Sequence, residues 1–160
     1  YMGMWLFRNM RENLDNAMTY DEMMELAESC NDYAYFDVND PSLVAPENMI
    51  HAIGKLLGSD NLAFILKSAY HSLAKSYSNA VSEMESITGK KTNAIHIVGG
   101  GCQDVYLNQL TKAYTGKDVT AGPVEATATG NLLSQIMWDE NLSLDAAREF
   151  VKKSFERKDL

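Results

Sequence analysis

Ala94-Ile95-His96-Ile97-Val98-Gly99-Gly100-Gly101-Cys102-Gln103-Asp104 is the stretch on which the fold turns. Ile95, Ile97 and Val98 suit a pleated, buried backbone. The segment therefore reads as a short strand that ends on glycines and turns into a helix. Glycine has no Cβ, so such a loop can take unusual dihedrals and let a ligand lie against bare backbone. The helix expected over roughly Val105 to Thr115 would direct free N–H groups back at the loop. Strand, glycine loop and helix N-terminus suit a nucleotide cradle. On these residues alone they suit a tight turn with no ligand equally well.

The strongest pattern lies just upstream. From Asp60 onward, Leu62, Ile65, Leu66, Ala69, Leu73, Tyr77, Ala80, Val81, Met84 and Ile87 fall on one face of a long helix. Gly89 ends it, with Lys90 and Lys91 at the negative end of its dipole. Pro46 suits the first position of a helix that Gly58 closes. Asn31 to Ala45 is rich in Asp and Asn and reads as an extended loop. Thr19 and Glu22 form a capping box for a helix from Tyr20 to about Ser29. Trp5, Leu6 and Met10 predict a core-facing helix that runs to about Leu14.

Downstream, Gly116 stops the Val105 helix and Asp118-Val119-Thr120-Ala121 reads as a second strand. Gly122-Pro123 then leads into a helix over about Val124 to Met137. Ser143 caps a last helix through Ala147, Phe150, Val151 and Phe155, followed by a charged tail. Strand, helix, strand, helix is the pattern of a parallel sheet. A parallel sheet is buried on both faces and normally has more than two members. The expectation is a partial α/β domain, with the long helix packed on the strands and further strands upstream of Tyr1. Uncovered sheet edge and apolar helix face would favour a dimer or higher oligomer.

At 160 residues, with 46% apolar and 22% charged, the chain suits one globular domain. A net charge of −8 argues against nucleic acid as a partner. Cys30 and Cys102 show no metal or redox spacing, and no apolar run reaches membrane-spanning length. A reducing cytoplasm is the expected compartment, with no membrane partner. Asp104 stands where a dinucleotide fingerprint beginning at Gly99 needs glycine, and Gly89-Lys90 is followed by Lys91 rather than Ser or Thr. His51, His71 and His96 have no partners at ligand spacing and read as structural, as does Cys102. No carboxylate pair suggests acid–base work.

Two segments carry a more specific signal. Ile95 to Leu110 resembles the adenosine-binding segment of the FGGY carbohydrate kinases. Thr120-Ala121-Gly122-Pro123-Val124-Glu125-Ala126-Thr127-Ala128-Thr129-Gly130-Asn131 narrows the resemblance to one branch of that family. Met2-Gly3-Met4-Trp5-Leu6 resembles a helix near the middle of the same branch's chain. The resemblance runs nearly end to end.

It implies the C-terminal lobe of an actin-like ATPase with a ribonuclease-H-like sheet, helix-rich and present in part. It also implies ATP and Mg²⁺ for the intact enzyme, and a sugar whose hydroxyl is phosphorylated. The catalytic aspartate, the sugar site and the first phosphate loop would lie upstream of Tyr1, leaving no catalytic residue here and the isolated chain inactive. The adenosine side is what carries over. The family's nucleotide-contacting glycine falls on Gly100, between Gly99 and Gly101, with Gln103 and Asp104 following. Two positions depart from the pattern. Asp104 stands where the family has Asn, adding negative charge and losing a donor. Arg8 stands where the family has a nucleotide-contacting Gln. It has the reach for a ribose or phosphate, and equally suits a plain surface position. The rival readings are another branch of the family, of the xylulokinase or gluconokinase kind, and a helical interaction module with no nucleotide site.

Overall fold

Side-chain caps set where most of the helices begin, and left-handed glycines set where several of them end. A computed structural model describes residues 2–154 and 158–159. The opening helix α1 spans Trp5–Asn13. Thr19 Oγ1 accepts from Glu22 N–H at 3.2 Å while Glu22 Oε2 accepts from Thr19 N–H at 2.7 Å, starting α2 over Tyr20–Ser29. Asn48 accepts from His51 N–H at 2.9 Å and starts α3 over Met49–Leu57. Pro46 therefore lies upstream of α3 rather than inside its first turn. Asn61 likewise caps α4 over Leu62–Thr88. Gly58, Gly89 and Gly116 close α3, α4 and α5 (Val105–Thr115) with φ of 65°, 65° and 64°, a region that costs other residues strain. Helices α6 over Ala126–Asp139 and α7 over Leu144–Ser154 follow, the latter capped by Ser143. Phe155, expected on that last helix, lies outside the described residues, as does Tyr1.

Helix α4 is the centre of the core. Its Ile65, Leu66, Ala69, Tyr70, Leu73 and Ala74 are fully buried, against Leu6, Phe7 and Met10 of α1 and Met23 and Ala27 of α2. Ile53 of α3 and Leu107 of α5 complete the surround. Burial on this scale contributes about 1.5–3 kcal/mol per large apolar side chain. Ser68 and Ser72 are buried with them. Their hydroxyls accept from Ala34 N–H at 3.0 Å and Phe36 N–H at 3.1 Å, which pins the Asn31–Ala45 loop along the helix. The loop tightens into a 3-10 turn at Pro41–Leu43.

The structure departs from the sequence pattern at several positions. Trp5 is 42% exposed, because Leu6, Phe7 and Met10 form the inward face of α1. Met84 and Ile87 are 53% and 77% exposed, because the last turns of α4 run beyond the core. Helix α4 packs chiefly on α5 and α2, and α5 rather than α4 is the principal cover of the sheet.

Strands β1 (Ala94–Ile97) and β2 (Asp118–Ala121) pair in parallel, with Ala94 opposite Asp118 and Ile97 opposite Ala121. A short strand β3, Lys158–Asp159, adds antiparallel to the far side of β2. Val119 and Ala121 are buried, whereas Ile95 and Ile97 are only half-buried and Val98 lies beyond the strand, exposed. Strand β1, expected to be buried, is thus an edge strand among the described residues. A polar cleft separates its His96 from Asp145, Arg148 and Lys152 of α7. Trp138 and Phe150 on α6 and α7 are also exposed. No described helix is long and apolar enough to cross a membrane.

Glu85 joins the end of α4 to both strands. Its carboxylate accepts from Thr92 N–H at 2.7 Å, Lys117 Nζ at 2.8 Å and Lys91 Nζ at 3.1 Å, just before β1 and β2. These donors hold its pKa at about 2, below its ordinary 4.5. A depressed carboxylate pKa stabilises the fold above the ordinary value and loses that effect as pH falls through the folded value. Glu85→Gln should therefore melt at a lower temperature than the parent at pH 7. Thermal denaturation across a pH series should show the gap closing between about pH 4.5 and about pH 2.

Candidate functional site

The three glycines after β1 do three different things. Gly99 has φ 78° and ψ −169°, a conformation open to glycine and strained for other residues. Its N–H donates to Pro123 O at 3.2 Å, tying the turn to the loop after β2. At Gly100 an added Cβ would meet nothing within 4 Å, so that backbone faces open space. At Gly101 it would sit 3.4 Å from Met4 Cγ, so this glycine sets the distance between the turn and the start of α1.

Gly100–Gln103 form a 3-10 turn, and α5 begins only after it. The first turn of α5 does not offer all its N–H groups to the loop as expected. Asp104 caps it, with Oδ1 accepting from Leu107 N–H at 2.8 Å. Asp104 Oδ2 accepts from Tyr70 Oη at 2.9 Å. Burial pushes the Asp104 carboxyl above the usual carboxylate range, against the lowering effect of those two hydrogen bonds. Behind the turn, fully buried Asn108 donates from Nδ2 to Cys102 O at 2.9 Å. Its Oδ1 has no partner among the described residues.

In front of the turn is a cleft of about 880 Å³. One wall is the turn itself, through Gly100, Gly101, Gln103 and Asp104. The other comes from α1 and the start of α2, through Trp5, Arg8, Tyr20 and Met24. Trp5 and Tyr20 leave their rings partly exposed there, each at 42%. Arg8 donates from Nε to Glu12 Oε1 at 2.9 Å on the surface, and that contact pushes its guanidinium pKa above its ordinary value. Arg11 is fixed by Met18 O at 2.8 Å and lies 5.3 Å over the Tyr20 ring. Five of the six residues singled out in the sequence, Arg8, Gly100, Gly101, Gln103 and Asp104, thus border one cleft, while Gly99, which begins the turn, is not among its lining residues.

Sequence reasoning missed Tyr70 and Asn108, which hold the turn from beneath, and the α2 wall. Tyr70 lies beside the apolar stripe of α4, where pattern alone marks it as core.

Chemically the cleft suits binding. Bare backbone and aromatic rings accept a flat group, and arginine suits a polar or anionic one. Both Asp104 oxygens are engaged, so it is poorly placed as a base. No three metal-ligating side chains converge among the described residues.

Asp104→Ala should destabilise the fold by about 1–3 kcal/mol, from the lost cap and the Tyr70 hydroxyl left unpaired. Asp104→Asn keeps an acceptor for Leu107 and should cost clearly less in urea denaturation.

Residues 1–138 match the FGGY family of carbohydrate kinases, C-terminal domain. Over 98% of its length the chain is 38% identical to a rhamnulokinase of Halalkalibacterium halodurans, covering 35% of that protein. It is 35% identical to a rhamnulokinase of Bacillus subtilis, covering 33% of it, and 33% identical to one of Oceanobacillus iheyensis, covering 34%. The chain therefore spans about a third of the length of these relatives. Its matched residues include the glycine turn, β2 and nearly all of α6. The chain belongs to the FGGY family of carbohydrate kinases, with its match in that family's C-terminal domain.

Proposed function

We propose that the chain is the ATP-binding portion of a cytoplasmic sugar kinase that phosphorylates L-rhamnulose, giving ADP and L-rhamnulose 1-phosphate. The observation that carries the reading is Gly100. It presents open backbone to a cleft bordered by Trp5, Tyr20 and Arg8, at the position where the family resemblance implies a nucleotide contact. The rhamnulokinase names of its relatives favour L-rhamnulose over the sugars of a xylulokinase or gluconokinase.

In this reading adenosine lies against Gly100 and Gly101. The partly exposed rings of Trp5 and Tyr20 flank it, and Gln103 and Arg8 supply polar contacts. Mg²⁺ accompanies ATP in the intact enzyme. Among the described residues no group of three or more metal-ligating side chains forms. Phosphoryl transfer depends on positioning and charge neutralisation. This chain supplies the positioning of adenosine, and the remainder of a full-length relative would supply sugar site and base. The isolated chain should therefore show no sugar-dependent ADP release in a coupled assay.

Gly100→Val tests the reading directly. The added side chain starts in open space, so the fold should survive and the cleft should be obstructed. In the intact kinase the ATP KM should rise about tenfold or more, about 1.4 kcal/mol, with much less change in the sugar KM. An unchanged ATP KM in a folded variant would reduce the loop to a turn and favour the helical interaction module.

A further inference from the structure

Asp104 places a carboxylate on the cleft wall where the family resemblance expects an amide. Its neighbourhood makes that charge unwelcome: it is largely buried, and Asp21 and Glu28 of α2 repel it. A polyphosphate in the cleft would repel it further. Two donors hold it in place, the Leu107 N–H on Oδ1 and the Tyr70 hydroxyl on Oδ2. The first belongs to the cap of α5 and follows from local chain geometry. The second comes from the middle of α4, across the core.

Tyr70 is unusually well fixed for this task. It is 1% exposed. Its ring packs at 4.1 Å on Phe7, the neighbour of Arg8 on α1, and at 5.0 Å edge-on to Tyr106 of α5. One side chain thus touches the helices that carry both walls of the cleft, and its hydroxyl ends on the carboxylate between them. Resting on the nucleotide-site reading above, we propose that Tyr70 is a positioning residue for ATP binding, holding the Asp104 carboxylate on the α5 cap and out of the nucleotide's path. Without the hydroxyl, Oδ2 is buried without that donor. The carboxylate is then free to turn into the open cleft that it borders, where it obstructs the turn and adds negative charge in the nucleotide's path. An amide at the same position carries no charge to be restrained, so it depends far less on Tyr70.

The test is a double-mutant cycle in the intact kinase with Tyr70→Phe and Asp104→Asn, read by ATP KM, sugar KM and thermal melting. Tyr70→Phe keeps the ring packing and removes only the hydroxyl. It should raise the ATP KM about fivefold or more, with the sugar KM moving less than twofold. In the Asp104→Asn background the same substitution should change the ATP KM by less than twofold, a rescue that a purely structural role would not produce. Equal effects in both backgrounds, or no effect on the ATP KM in folded Tyr70→Phe, would overturn the inference. If Tyr70→Phe does not fold alone, recovery of folded, ATP-binding protein in the Asn background supports the inference. Failure to fold in both backgrounds overturns it. Gly100→Val, measured alongside, separates the two ideas. Loss of ATP binding there with an unmoved Tyr70→Phe refutes the positioning role alone. An unmoved ATP KM in both variants refutes the site and the inference together.

Discussion

Helix α4 is surrounded through its first four turns, and a surrounded helix must satisfy the polar groups of its neighbours as well as bury its own apolar surface. Its sequence does both. Leu66, Ala69 and Leu73 supply apolar contact. Ser68 and Ser72 accept from the backbone of the loop that crosses them. Tyr70 and His71 reach the other way, to α5. His71 Nδ1 lies 2.7 Å from Tyr114 Oη, and its ring stacks on Tyr33 at 3.7 Å. Burial and the nearby Lys67 push the His71 pKa down from its ordinary value.

The position of the cleft follows from this arrangement. Helix α1 is held on α4 by Phe7 against Tyr70, and α2 by Met23 and Ala27 in the same core. That leaves Trp5, Arg8 and Tyr20 on the side facing the glycine turn. The turn is held from beneath by Asn108 on Cys102 O and laterally by Gly99 on Pro123 O. One wall is thus carried by helices of the core and the other is a loop pinned at both ends, which is the condition for a binding site of defined shape. The helix-rich architecture with its short parallel strand pair suits the C-terminal lobe of the actin-like FGGY kinases.

The sheet is the least covered part of the chain. Strand β1 is half-exposed, and among the described residues its pairing is with β2 alone. Glu85 compensates at the entrance to both strands by gathering Thr92, Lys91 and Lys117 on one carboxylate. That contact fixes the strand starts relative to α4 although α4 itself packs mainly on α5 and α2.

What the sequence determined by itself was the set of features whose causes are local. The capping box at Thr19 and Glu22 acts within four residues, as do the stops at Gly58, Gly89 and Gly116 and the turn that ends β1. Helix boundaries such as Tyr20–Ser29 and Val105–Thr115 were legible for that reason, and so was the candidate loop. Periodicity found the apolar faces without saying what would cover them. Trp5 therefore read as core when it borders the cleft, and Ile87 when α4 had already left the core. Asp104 is the sharpest case. Its identity and its place before α5 were plain in the chain, and its role was not. That role depends on a Tyr70 hydroxyl 34 residues away, and only the packing of α4 on α5 brings donor and carboxylate to 2.9 Å.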